Sequence, residues 1–326
     1  MATKNLDVRF VFRSISMVEL MTIMESDGLW EKYGVDVRLL DFSDDATRDE
    51  ERLFSGDIDF IFGDHVSPYK RIVEGHPMVC LGQTVNYENL WVATTQEITS
   101  LSMLTGKRVV GNPLWTNDRH IGHNEGTRVL FLSMHGVDID QVDWVGGSIR
   151  PGEAPRGPNA PPPLAPIEAV RDGQADACFI GPRRAGAARE AGLRVHEFPP
   201  FPMIKNMTLT SMLPSLLKDS ELARRVIHVM TEATEFFIAN REETLGMLRD
   251  PVHPLPDGHL DRLANRYDER ASEYEPTLFP NPEGIVNVHR LSGMLYPEVK
   301  QMNPLQLWDL RLLHEVRAER AAIAAS

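Results

Sequence analysis

The sequence has 326 residues, of which 42% are hydrophobic, which is enough for one large or two ordinary domains with well-filled cores. A formal net charge of −13 argues against a nucleic-acid partner, because phosphate binding requires clustered Lys and Arg. No stretch approaches the ~20 consecutive apolar residues that a membrane-spanning helix needs, so we expect no membrane span.

Strand-like and helix-like segments alternate from the N-terminus, which predicts a mostly parallel sheet with helical crossovers. LDVRFVF predicts the first strand, and Ser14 or Ser16 is expected to cap the helix that follows. DVRLLDF, IDFIFG and MVCLGQTV predict the next strands, with short helices between them. After LWVATT, the run ITSLSML predicts one short helix, and RVVG and VDWVGG predict further strands.

The second half begins with a segment dense in proline, PGEAPRGPNAPPPLAP at residues 151–166, which predicts a loop that is either a lid or a disordered tether. PIEAVRDG then predicts a helix, and ADACFIG a strand. GQADACFIG echoes the earlier GDIDFIFG, a rough likeness between the two halves. From Ser220 onward the pattern is helical, and a core-facing apolar stripe recurs at helical spacing: Leu222, Val226, Val229, Met230, Ala233 and Phe237. Homo-oligomer formation through these C-terminal helices is an open expectation.

Two compositional features concern the compartment. The N-terminus runs almost at once into a strand and shows no secretory signal, so we expect a cytoplasmic protein; a periplasmic one remains open if a leader was removed. Cys80 and Cys178 lie in the apolar runs PMVCLG and DACFIG, which predicts buried, inert thiols.

Four stretches resemble the type II periplasmic-binding-protein fold of alkanesulfonate-, taurine- and thiamine-precursor-binding proteins. They are SDGLWEKYGVDVRLLDF, SGDIDFIFGDHVSPYKRIVEGHPMVCLGQ, LWVATTQEITSLSMLTGKRVVGNP and IEAVRDGQADACFIG. The resemblance implies a two-lobed α/β fold with a ligand cleft between the lobes and a helical C-terminal extension. Residues 1–93 and 203–326 would form lobe I, and residues 94–202 lobe II.

The same fold is similar to that of cytoplasmic enzymes, including 4,5-dihydroxyphthalate decarboxylase, menaquinone-pathway futalosine enzymes, an aromatic desulfinase and thiamine-pyrimidine synthase. The loop after the first strand reads RSIS and lacks the desulfinase's nucleophilic cysteine, and the synthase's cysteine-rich motif is missing. The first hypothesis is a decarboxylase-type lyase for a small, aromatic carboxylate. The alternative is the solute-binding component of an ABC importer for a small organic anion, without catalysis. Neither requires a cofactor.

The resemblance places four loops at the cleft. The first carries Arg13, Ser14 and Ser16, where a guanidinium, hydroxyls and backbone N–H groups suit a carboxylate. The alternative is that Ser14 or Ser16 serves only as a helix cap. The second loop carries Asp64 and His65, with His65 as a pocket residue and candidate proton donor.

The third loop opens the stretch PLWTNDRHIGHNEGTRVLFL. There Trp115 offers an apolar wall, Asn117 and Arg119 offer hydrogen-bond donors, and His120 is the second candidate catalytic imidazole. His120 and His123 would share a helix face, but their spacing is not that of a metalloprotease, so we expect no metal.

The fourth loop carries Arg183 after a strand end, which either meets a second anionic group or begins a solvated helix. Asn86, after the strand MVCLGQTV, completes the candidate substrate-binding residues.

Overall fold

A computed structural model describes residues 5–43, 45–63, 65–111, 123–146 and 165–325. The chain divides into two compact units. Unit 1 comprises Met1–Asn86 and Met203–Ser326, and unit 2 comprises Tyr87–Pro202. Each unit contains a five-stranded sheet and several helices, which confirms the predicted α/β class.

The strands of both units are short, and most lie in one of the two five-stranded sheets. In chain order they are β1 (Leu6–Phe12), β2 (Val35–Phe42), β3 (Phe60–Phe62), β4 (Met78–Gln83), β5 (Tyr87–Glu88), β6 (Trp91–Thr94), β7 (Arg108–Gly111), β8 (Asp143–Gly146), β9 (Ala177–Ile180), β10 (Arg194–His196), β11 (Phe201–Pro202) and β12 (Thr208–Met212).

The helices alternate with the strands as far as β12 and then dominate the rest of the chain. They are α1 (Ile15–Ser26), α2 (Leu29–Lys32), α3 (Ala46–Ser55), α4 (Ser67–Val73), α5 (His123–Met134), α6 (Pro166–Arg171), α7 (Ala185–Glu190), α8 (Leu213–Lys218), α9 (Glu221–Ala239), α10 (Arg241–Met247), α11 (His259–Ala264), α12 (Tyr267–Glu273), α13 (Pro282–Leu295) and α14 (Arg311–Ala324).

The sheet of unit 1 has the strand order β2-β1-β3-β12-β4. Strands β1, β2 and β3 are parallel, whereas β12 runs antiparallel to both of its neighbours. Because β12 follows unit 2 in the sequence, two separate segments of the chain form this sheet.

The core of unit 1 lies between this sheet and the helices that cover it. Helix α9 packs against α1 through the apolar stripe that the sequence predicts. Val226, Val229, Met230, Ala233 and Phe237 are all fully buried on one face of α9. Burying each large apolar side chain contributes roughly 1.5–3 kcal/mol, which outweighs the low intrinsic stability of an isolated helix.

The sheet of unit 2 has the order β10-β6-β9-β7-β8, with β7, β8 and β9 parallel to one another. Its separate core includes Ile167, Val170 and Cys178. Cys178 is a free, buried thiol whose pKa is raised by burial to about 12, so it is protonated and unreactive at neutral pH. Cys80 of unit 1 is likewise free and buried, as the sequence predicts.

One predicted helix is shorter than expected. The run ITSLSML forms a 3₁₀ turn over Leu101–Leu104 rather than a helix across the whole segment. The side chains of Ser100 and Ser102 bond to each other at 3.0 Å, and Gly106 follows with φ +73°. These local bonds and the left-handed glycine compete with helix propagation.

Among the described residues, none of the helices has both the length and the apolar character needed to cross a bilayer. The Pro-rich loop lies, except for Ala165 and Pro166, outside the described residues. Residues Ala165 and Pro166 lead into α6, where Pro166 occupies the first helical position that tolerates proline.

Candidate functional site

Three parallel strands of unit 1 end level with one another. Phe12 of β1 is paired in register with Phe42 of β2 and with Phe62 of β3. The loops that follow these three residues therefore leave the sheet at a single edge, which we call the strand-end edge of unit 1. In open α/β sheets, ligands bind outside the carboxyl ends of the strands.

Ser14 and Ser16 lie in the first of these loops, and each has a local role. Ser14 is the N-cap of α1, and its hydroxyl oxygen accepts a hydrogen bond from the Ser16 N–H at 3.3 Å. The two hydroxyl oxygens lie 2.8 Å apart. This capping orders the first turn of α1, where backbone N–H groups and the helix dipole favour an anion. Direct contact of either serine with a ligand stays a prediction.

Arg13 is held at the same edge by its backbone and by a buried acid. Its N–H donates to the carbonyl of Phe62 at 3.0 Å, and its side chain is only 12% exposed. The Arg13 Nε lies 3.8 Å from Oδ2 of Asp49, whose side chain is fully buried on α3. Burial raises the pKa of Asp49, while the charges of Arg13 and Arg52 act in the opposite direction. At this separation the two groups form an ion pair without a hydrogen bond, which places the Arg13 side chain beside α3.

Gly63, directly after β3, packs so closely behind this loop that no side chain fits. Its φ is +130°, a conformation that L-residues rarely adopt. A Cβ atom on Gly63 would lie 2.9 Å from the Cβ of Arg13 and 2.8 Å from the Cε of Met17. Glycine at this position therefore allows β3 and the Arg13 loop to approach each other.

His65 is buried, with 5% of the residue exposed, in the segment between Gly63 and α4. It lies near the strand-end edge, but its place in a ligand pocket and its catalytic role both stay predictions. Five candidate residues lie outside the described part of the chain: Asp64, Trp115, Asn117, Arg119 and His120.

Asn86 lies three residues beyond β4, and its side chain is occupied by backbone partners. Strand β4 ends at the strand-end edge, because Gln83 pairs with Thr208 at the start of β12. The Asn86 amide nitrogen donates to the carbonyl of Phe279 at 2.8 Å, and its amide oxygen accepts from the N–H of Asn281 at 2.9 Å. These bonds connect the last residue before the chain enters unit 2 to the start of α13, so Asn86 has a structural role. Its contact with ligand stays a prediction.

Arg183 lies in unit 2, in the 3₁₀ turn Pro182–Arg184 that follows β9. Strands β7, β8 and β9 are parallel, so this turn leaves the sheet of unit 2 at the edge where those strands end. The residue is exposed. An exposed guanidinium binds an anion more weakly than a buried one, because water and salt screen its charge.

Comparison with known proteins identifies the fold. No family model and no curated protein matches the chain. The periplasmic sulfonate-binding protein SsuA of Methylobacillus flagellatus KT matches with a TM-score of 0.61 at 12% identity, over 98% of this chain and 96% of that one. The aliphatic sulphonate binding protein SsuA of Escherichia coli matches with a TM-score of 0.60 at 16% identity, over 93% and 96%.

A third structure, the nitrate-binding protein NrtA of Synechocystis PCC 6803, matches with a TM-score of 0.55 at 12% identity, over 98% of this chain and 90% of that one. This chain has the type II periplasmic-binding-protein fold. The identities are low, so the likeness concerns the fold and carries no ligand assignment by itself.

Within this binding-protein fold, the strand-end edge includes an imidazole that sequence reasoning missed. His253, between α10 and α11, stacks on Phe42 with ring centroids 4.1 Å apart and contacts Phe12 edge-on at 6.4 Å. Its loop is anchored where the Val252 N–H donates to the Thr22 hydroxyl of α1 at 3.3 Å. The sequence offers no signal for this contact, because it joins the helical tail to the ends of β1 and β2.

The groups at this edge are of the kinds that bind anions. A partly buried guanidinium, a capped helix N-terminus and the stacked rings of Phe42 and His253 lie near three strand ends. Among the residues that the structure describes, no three His, Cys, Asp or Glu side chains are grouped so as to hold a metal ion. The arrangement therefore suits recognition of a small, negatively charged head group attached to an apolar body.

Proposed function

We propose that this protein is the solute-binding component of an ABC importer and binds a small organic anion at the strand-end edge of unit 1. One observation carries the proposal: β1, β2 and β3 end in register, and Arg13 and the N-terminus of α1 follow directly from that edge. The Arg13 side chain is only 12% exposed, so it loses less conformational freedom on binding than a fully exposed arginine would.

The proteins that share the fold support this proposal. The proteins of Methylobacillus flagellatus and Escherichia coli are named as sulfonate-binding proteins and that of Synechocystis as a nitrate-binding protein, and sulfonates and nitrate are all anions. We therefore expect a sulfonate or carboxylate head group, with the apolar part of the ligand near the half-buried rings of Phe42 and His253.

Binding is favoured over the decarboxylase-type hypothesis. That reaction needs a donor that delivers a proton to the carbanion as carbon dioxide leaves. His65, one of the two candidate donors, is only 5% exposed in this structure. The three matched proteins are named for binding and transport, not for turnover.

A ligand panel with chemical recovery tests the proposal. The purified protein is screened by thermal unfolding against alkanesulfonates, nitrate, hydroxylated benzoates and phthalates, and hits are quantified by calorimetry. After long incubation, the ligand is extracted and analysed by chromatography. We expect saturable binding with a 1:1 stoichiometry and quantitative recovery of unchanged ligand.

Release of carbon dioxide from an aromatic acid would instead support the lyase. In that case His65→Asn or His120→Asn should slow turnover by ~10²–10⁴-fold, the usual contribution of a positioned general acid, with much smaller changes in affinity. Absence of both binding and turnover across the panel would contradict the anion-binding assignment.

A further inference from the structure

The most heavily bonded guanidinium near the strand-end edge is that of Arg270, on α12. Its side chain is 14% exposed. Nε donates to Oε2 of Glu19 at 3.1 Å, Nη1 donates to Oε2 of Glu273 at 3.1 Å, and Nη2 donates to the hydroxyl of Tyr274 at 2.9 Å. The charge of Arg270 is thus matched by two carboxylates of its own surroundings.

Arg270 also reaches the first turn of α1. Its Nη2 donates to the backbone carbonyl of Ser16 at 3.1 Å, and the same nitrogen lies 3.6 Å from Sδ of Met207. The Ser16 hydroxyl is directed at that sulfur as well, at 3.9 Å. One guanidinium therefore connects the Arg13–Ser16 loop to the residue that precedes β12.

Glu19 gives this connection a second point on the same helix. It lies one turn beyond Ser16, is 3% exposed, and accepts a hydrogen bond from the Tyr274 hydroxyl at 3.1 Å. Burial alone would raise the pKa of Glu19, but the charge of Arg270 and the hydrogen bonds from His259 and Arg270 outweigh it and lower the pKa. Glu19 is consequently ionised at neutral pH and holds the guanidinium against α1.

Only an arginine provides this pattern of contacts. The planar fork presents five N–H donors in fixed directions, so it can bond Glu19, Glu273, Tyr274 and the Ser16 carbonyl at once. A lysine in its place carries the same charge but only three donors around one nitrogen. It can neutralise Glu19, but it cannot also span the distance between Glu273 and the Ser16 carbonyl.

We propose that Arg270 is a positioning residue for the anion site: through the Ser16 carbonyl, Glu19 and Met207 it holds the capped first turn of α1 in the orientation that receives the ligand. The inference rests on the proposed function for the identity of that ligand, a sulfonate or carboxylate. Arg270 itself does not contact the ligand in this proposal, because its donors are directed at protein groups.

The test compares Arg270→Lys with Arg266→Lys. Arg266 lies one turn earlier, on the segment that leads into α12, and forms an exposed pair with Glu269 at 3.3 Å, so its variant controls for loss of an arginine in this segment. The first measurement is amide hydrogen exchange of Ser16 and Met17 without ligand. The second is calorimetry with ethanesulfonate and benzoate as probes.

We expect Arg270→Lys to speed exchange at both amides by about tenfold and to weaken the better probe by about tenfold, the effect of one charge-assisted hydrogen bond. Amides of the α9 core should keep their protection, which separates loop positioning from general destabilisation. Arg266→Lys should change neither measurement.

Unchanged exchange at Ser16 and Met17 in Arg270→Lys would overturn the inference, whatever the probes do. If Arg270→Lys does not fold, Tyr274→Phe removes one partner of the guanidinium and should raise exchange at the same amides by a smaller factor; no rise there would also overturn it. If the wild-type protein binds neither probe, the proposed function fails for those ligands, while the ligand-free exchange still decides whether Arg270 holds the turn.

Discussion

The two units of the chain contain the same arginine–aspartate pair, which joins two neighbouring strands in each sheet. In unit 1, the Arg9 N–H donates to Oδ2 of Asp59 at 2.8 Å and Nη2 donates to Oδ1 at 2.7 Å. In unit 2, the Arg108 N–H donates to Oδ2 of Asp176 at 2.8 Å and Nη2 donates to Oδ1 at 3.0 Å. Each aspartate N–H also returns a bond to the arginine carbonyl, at 2.9 Å and 2.7 Å.

The units differ a few residues beyond this pair, at the ends of the strands that follow the two aspartates. Gly63 of unit 1 has φ +130° and would bring a Cβ into the Arg13 loop. Gly181, at the matching place in unit 2, has φ −84° and open space where a Cβ would be. The two units therefore share the bonds that join strand to strand, and differ where the chain leaves the sheet toward the candidate site.

The largest expected effect is on the free energy of unfolding, and it separates alanine at Gly63 from alanine at Gly181. Gly63→Ala must relieve contacts below 3 Å and adopt an unfavourable φ, so we expect it to lower the free energy of unfolding by ~2–4 kcal/mol. Gly181→Ala should change it by less than ~0.5 kcal/mol. Urea denaturation of both variants measures the difference, and equal destabilisation would mean that the two strand ends are not distinct.

The second comparison concerns ligand affinity. Arg13 is 12% exposed and has a buried partner, so Arg13→Ala should weaken binding of the best ligand by ~1.5–3 kcal/mol, the range for charge-assisted hydrogen bonds. Arg183 is exposed, and Arg183→Ala should cost less than ~1 kcal/mol. Calorimetry on both variants decides the matter. If Arg13→Ala binds as tightly as wild type, the anion clamp is assigned to the wrong residue.

The smallest effect, and the one that should be alike in both units, comes from the repeated arginine–aspartate pair. Asp59→Asn and Asp176→Asn should each lower the free energy of unfolding by about 1 kcal/mol, a modest value because the arginine side chains are about 40% exposed. A clear difference between the two variants in chemical denaturation would show that the two pairs contribute unequally to the free energy of unfolding.

Acid titration provides the control for Asp176. Burial is the largest influence on its pKa and would raise it, but the hydrogen bonds from the Arg108 side chain and backbone outweigh burial and lower the pKa. A carboxyl with a lowered pKa stabilises the fold above the unfolded pKa of about 3.9 and loses that contribution as pH falls through the folded value. The deficit of Asp176→Asn should therefore be full at neutral pH and close in strong acid. A deficit that persists unchanged in acid would contradict the assigned cause.

Much of the fold follows from local sequence signals. The alternation of strands and helices predicts the α/β class, and the apolar spacing in α9 predicts its buried face. The echo between GDIDFIFG and GQADACFIG marks the two arginine–aspartate pairs, because each motif contains the aspartate that pairs with an arginine on a neighbouring strand. These features depend on residues that are close in sequence or belong to a repeated motif.

The candidate site was less predictable, for a physical reason. Sequence order indicates that Arg13 and Ser14 follow a strand, and the structure places them at the strand-end edge. His253, which contacts Phe12 and Phe42, and Arg270, which bonds the Ser16 carbonyl, come from the helical tail. Their contacts arise from tertiary packing between distant segments of unit 1. No local pattern distinguishes Arg270 from the exposed Arg266 one turn earlier.

The position of β12 has a consequence for synthesis on the ribosome. Strand β4 joins the sheet of unit 1 through β12, which also pairs with β3, and β12 is translated after all of unit 2. A nascent chain that has emerged only as far as Asn86 carries β3 and β4 with unpaired edges, which are exposed to wrong partners. Unit 2, by contrast, is contiguous in sequence. It is free to fold first, and its completion would then precede closure of the sheet that carries the candidate site.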